Sequence, residues 1–175
     1  GAAVGIPNIV IGEDENFKVI SRPDPEVNGP QRLAVILVKP NDVDIGDLPT
    51  PEEVEDRIFN GILNEFVKEQ SYGRTSLIGD VYGWIEVDGL EGVRDVNRVS
   101  SEVLKEIYSL ADEEIEYIDG NGRANYDRIL FGYGGMIFGG GCSRGKRTIE
   151  TNEGEIVASK GHFHMGDRES FLEGI

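Results

Sequence analysis

The stretch from Thr50 to Val87 limits the folds open to this chain more than any other, because its hydrophobic period changes midway. Val54, Ile58, Phe59, Ile62, Leu63, Phe66 and Val67 recur at spacings of three and four, the signature of one helical stripe. Thr50 is a good N-cap, Pro51 suits the first helical turn, and Glu53 is placed to close a capping box. Gly73 offers a left-handed residue just past the helix end. Leu77, Ile78, Val81, Tyr82, Trp84, Ile85 and Val87 are then strand formers, interrupted by Gly79 and Gly83. An amphipathic helix over 51–72 therefore feeds a long strand with a bulge expected at a glycine. The helix is expected to lay Val54, Ile58, Phe59, Ile62 and Phe66 on a sheet. On that reading Phe66→Ala costs about 3–5 kcal/mol, the range for a buried aromatic.

The flanking chain fits an α+β domain. Leu33–Val38 is a continuous apolar run, as expected of a central strand covered on both faces, and Pro40 ends it. A second helix is expected over about 97–112, capped by Asp95 or Asn97, with Val99, Val103, Leu104, Ile107, Tyr108 and Ala111 as its stripe. The acids at its far end oppose the helix dipole, so fraying is expected there. Residues 127–138 read as a strand, 148–166 as a hairpin, and Asp167 as the cap of a terminal helix. Residues 21–32 read as a linker. Residues 1–30 form either an N-terminal extension, such as the end of a pro-region, or a hairpin of the domain that spans 31–175.

With 175 residues the chain can bury a real core, roughly 70% of its unfolded surface. Its 33 acidic against 17 basic residues give a net charge of −16, which argues against a nucleic-acid partner. No apolar run is long enough for a helical membrane span. The single cysteine, Cys142, cannot form an intrachain disulfide.

The S-Y-G at Ser71–Gly73, with Glu69 before it and the G-x-V-x-G-W of Gly79, Val81, Gly83 and Trp84 after it, resembles secreted zinc metallopeptidases. The families meant are the gametolysin-like and immune-inhibitor-A-like members of the zincin group. Tyr126-Asp127 ahead of a strand is similar to them too. The likeness covers about residues 31–138. It implies a twisted mixed sheet backed by two helices, the upper half-domain of a zincin. It also implies an extracellular zinc-dependent endopeptidase acting on protein or peptide substrates. The H-E-x-x-H motif that such enzymes need for zinc is absent from the chain. In the family that motif lies on the helix after the last strand, and residues 167–175 read as the opening of that helix. The chain is thus expected to be a partial domain without activity of its own, with no cofactor here and zinc expected in the complete domain. The alternative is a non-catalytic extracellular binding or structural module on the same scaffold. The family also implies that the last strand, here Glu155, Ile156, Val157, Ala158 and Ser159, is the sheet edge where substrate adds.

Other motifs are weaker. Gly140–Lys146 fits G-x-x-x-x-G-K, yet Arg147 follows where Mg²⁺ binding needs Ser or Thr, and the next residues are strand-like. Gly132–Ile137 lacks the third glycine of a dinucleotide fingerprint. The acids at Asp42, Asp44 and Asp47, and the loop at Asp119 and Asn121, read as turns rather than calcium loops. His162 and His164, the only histidines, stand at i and i+2 on a strand and are the low-ranking metal candidates. Cys142 reads as a loop thiol.

Overall fold

The computed structural model describes residues 28–174, so the expectations for residues 1–27 lie outside the described chain. The fold is built on β1 (Gly29–Pro40), which pairs in parallel with β2 (Thr75–Val87) on one side and β3 (Arg128–Gly134) on the other. β6 (Gly154–Gly166) is parallel to β3. Along the outer side of β6 run two antiparallel pieces, β4 (Gly140–Cys142) and β5 (Arg147–Thr151). Among the described residues the sheet is six-stranded and mixed, in the order β2-β1-β3-β6-β4, with β5 also on β6. The expected linker thus ends earlier, because Gly29 and Pro30 already pair with Thr75 and Ser76.

The apolar run of β1 is buried on both faces, as its composition requires: every residue from Leu33 to Val38 is 3% exposed or less. Leu33, Val35 and Leu37 meet Val54, Ile58 and Phe59 from the first helical segment. Ala34, Ile36 and Val38 meet Ile107 and Ala111 of α3 (Ser101–Glu114). The two helices back opposite faces, giving a layer of helix on each side of the sheet. The α3 stripe is as expected, but its start is not. Asp95 caps only a short 3-10 turn, Val96–Arg98, and Ser100 caps the helix through the Val103 amide. The far end also holds through Glu114. There the Glu153 carboxylate, from the β5–β6 turn, accepts the Tyr117 and Ile118 amides at 2.9 and 3.0 Å.

The first helix departs from a single stripe. The capping box is present, with Thr50 Oγ accepting from the Glu53 amide and Glu53 accepting from that of Thr50. After α1 (Pro51–Glu55), however, residues Asp56–Asn60 form a π-turn, and Gly61 breaks the ladder before α2 (Ile62–Gln70). A wide turn takes in one extra residue, which rotates everything after it by about 100°. The inward positions therefore step by five across the break, from Ile58 to Leu63 and from Phe59 to Asn64. Phe66 and Ile62, expected on the sheet, are 56% and 54% exposed, and that part of the expected stripe is wrong. Asn64 takes the inward place at 6% exposure. Its amide nitrogen donates to the carbonyls of Phe59 (2.6 Å) and Leu77 (3.1 Å), and its oxygen accepts the Leu77 amide at 2.8 Å. Gly61 permits the break, since a Cβ there would lie 2.8 Å from the Asp56 carbonyl oxygen.

The motif residues of the central stretch have structural duties. Tyr72 and Gly73 both adopt positive φ, 53° and 75°, and stop α2. Ser71 Oγ accepts the Thr75 amide at 3.0 Å and so starts β2. A Cβ on Gly79 would fall 1.9 Å from the Leu33 carbonyl oxygen, so only glycine lets β1 and β2 pair there. Between Ile36↔Tyr82 and Val38↔Ile85 β2 carries one extra residue, the bulge expected at a glycine. The extra residue puts Trp84 on the α1 face, although Tyr82, two residues earlier, packs on the α3 face. The Trp84 indole then donates to the Pro49 carbonyl at 2.9 Å.

Asn64→Ala is expected to cost about 2–5 kcal/mol, because it strands the Leu77 amide and two carbonyls in a buried seam. Phe66→Ala should change stability by less than about 0.5 kcal/mol, as for other exposed positions. Urea midpoints of the two variants check both; a larger loss for Phe66→Ala would contradict the π-turn.

Candidate functional site

The parallel strands end together at Pro40, Val87, Gly134 and Gly166, and β6 passes straight into α4 (Arg168–Glu173). Asp167 caps α4 as expected, accepting the Ser170 amide at 2.8 Å. The Arg168 guanidinium grips the Glu53 carboxylate, its Nε lying 3.1 and 3.0 Å from the two oxygens, and ties α4 to the start of α1. Those contacts hold the Glu53 carboxyl down at about 2. Arg57 Nη1 donates to the Leu172 carbonyl at 2.8 Å while its guanidinium lies over the Phe171 ring. Between α4 and the sheet is an apolar groove of about 590 Å³, lined by Ile58, Leu63, Leu130, Phe163, Met165 and Phe171, with His164 at its border.

β6 carries all of the residues singled out as candidates, and the structure sorts them by face. Glu155–Ala158 pair with β5, and Ser159 is where β3 joins on the other side. Ile156, Ala158 and Ser159 are buried, while Val157 is 57% exposed. Among the described residues the outermost strand on this side of the sheet is the β4–β5 line rather than β6, since β4 and β5 together flank β6 from Gly154 to Phe163. Gly140–Lys146 contains β4 and the turn into β5, with no helix after it. Lys146 reaches Asp127 at 3.3 Å. Asp127 Oδ2 also accepts the Arg32 amide, and its carbonyl the Ser159 amide, so the Tyr126-Asp127 pair knits β1, β6 and the hairpin together. Tyr126 donates to Asp80 at 2.7 Å and therefore accepts from the Tyr82 hydroxyl.

The two histidines are engaged separately. His162 lies between Tyr108 of α3 and Tyr133 of β3, with Nε2 3.0 Å and Nδ1 2.9 Å from their hydroxyls, and stacks on Phe131 at 5.1 Å. A neutral imidazole has one N–H, so one tyrosine donates to the ring and the other accepts from it. Burial, helped by the nearby Lys160 charge, depresses His162 to about 4. His164 instead donates from Nδ1 to the Gly139 carbonyl at 2.8 Å. Among the described residues no three of His, Cys, Asp and Glu come together in a metal-holding group. The strand alternation that made the histidines candidates was legible; the tyrosine hydroxyls that occupy His162 come from remote elements and left no local signal.

The same face as His162 holds a second cavity of about 760 Å³, between the β4–β5 line and the loop ahead of α3. Lys160 and Arg147 line it, with Cys142, Ser143 and Asn97. The Lys160 ammonium sits 3.7 Å from the centre of the Tyr108 ring. No family model and no curated protein matches this chain.

His162 should titrate near 4 by NMR, well below the ordinary 6.5. Its folded value is depressed, so the unfolded chain binds the extra proton first as pH falls. Its contribution to stability is thus complete above about 6.5 and lost between there and 4. His162→Gln should flatten the stability curve in that window; an unchanged slope would remove this role.

Proposed function

We propose that the chain is the N-terminal part of a zinc-dependent metalloendopeptidase domain of the zincin type, acting outside the cell on protein or peptide substrates. The observation that carries the reading is the run from parallel strand β6 directly into the Asp167-capped α4, beside an apolar groove. In the resembling families the zinc-binding helix follows the last strand. The shared S-Y-G and G-x-V-x-G-W residues support the same scaffold, because here they stop α2, admit the close β1–β2 pairing and form the β2 bulge.

The residues described do not fit a zinc ion: His162 has both ring nitrogens engaged by tyrosines and His164 bonds a carbonyl. On this reading the metal ligands belong to chain that follows α4, and residues 1–175 supply the framework. They contribute an edge for an extended substrate along β4, whose outer backbone is the sheet margin beside β6.

The coding sequence beyond Ile175 tests the proposal. It should encode H-E-x-x-H within a few residues. The extended protein should cleave casein in a chelator-sensitive way, while residues 1–175 alone neither cleave it nor bind Zn²⁺ at micromolar concentration. An extended protein without that motif or without cleavage would return the chain to a non-catalytic module. Tight zinc binding by residues 1–175 that is lost in His162→Ala, His164→Ala would point to a different metal site.

A further inference from the structure

The cavity on the α3 face is separate from the α4 groove, and it holds a cation in an unusual setting. Lys160 projects from β6 on the same side as Ala158 and His162, flanked by the Tyr108 ring. Among the described residues no carboxylate lies within ion-pair reach of its ammonium, although the chain has nearly twice as many acids as bases. Asp112 is its nearest electrostatic counterpart, and Glu150 lies on the cavity wall. Arg147, from β5, lines the same cavity, and Ser143 and Asn97 add hydrogen-bonding side chains.

We propose that this cavity binds a small oxyanion ligand, a phosphate or a carboxylate, held by the Lys160 ammonium and the Arg147 guanidinium. The physical case has three parts. A half-buried ammonium without an ion-paired carboxylate has lost water and gained a ring face and the more remote Asp112 charge, so an entering anion recovers the missing interaction. Burial already holds Lys160 below its usual value, the mark of that loss. An arginine fork in the same cavity suits the two oxygens of either anion. The overall charge of −16 repels anions in general, so saturable binding has to come from local cations. The site is independent of the peptidase reading, since it lies on the other face of the sheet from α4 and needs no metal.

Amide NMR of the 175-residue chain at fixed ionic strength, titrated separately with inorganic phosphate and with citrate, provides the test. The expected result is saturable shifts at Gly141–Ser143 with one or both anions. Lys160→Met and Arg147→Ala should each weaken binding tenfold or more, and Lys68→Ala on the opposite helix should leave it unchanged. A response to phosphate alone or to citrate alone identifies the ligand class. Absence of saturable shifts with both anions overturns the proposal. So does unaltered affinity in Arg147→Ala, whose exposed side chain can be removed even if Lys160→Met fails to fold.

Discussion

The structure depends on covering one strand twice. β1 places apolar side chains on both faces without a polar position between Leu33 and Val38. A strand of that kind cannot border water, so the chain must supply a helix to each face and a strand to each side. The connection through α1 and α2 covers one face and delivers β2, and the connection through α3 covers the other and delivers β3. The parallel ladder is thus a consequence of the helices lying between the strands, as crossover connections require.

The residues that made the central stretch resemble a peptidase are scaffold residues. Gly79 is where two strands come too close for a side chain, Gly83 lies in the bulge, and Ser71–Gly73 stop a helix and start a strand. Such positions report how a backbone is threaded and leave the chemistry to loops and termini. What could bind a ligand lies elsewhere, in the two clefts on either side of β6.

Much of the fold was legible because its signals are local. The capping box at Thr50, the cap at Asp167, the β5–β6 hairpin and the β1 run all depend on neighbours within a few residues. The start of α3 was misplaced because Asp95 offers the same capping chemistry as Ser100 and spends it on a 3-10 turn. The β6 candidates were harder still. Which side of a strand meets a tyrosine hydroxyl, and which strand lies outermost, are set by chain tens of residues away. The histidines were visible as residue types, but the surroundings of His162 were not.

The π-turn at Asp56–Asn60 has a consequence for how this helix can vary. Read as a continuous screw, the sequence aligns Phe66 with Ile58 and Phe59; read with one residue of slack, it aligns Asn64 instead. The two settings differ by a single notch, and Gly61, with no side chain to resist the Asp56 carbonyl, holds the second. Closing the wide turn into a regular α-turn without losing a residue would turn an aromatic inward and swing the amide tether out to solvent. The sheet would then exchange a hydrogen-bonded seam for a greasy plug. The helix therefore keeps two alternative threads within one sequence, and the winding of the break, rather than its composition, decides which is used.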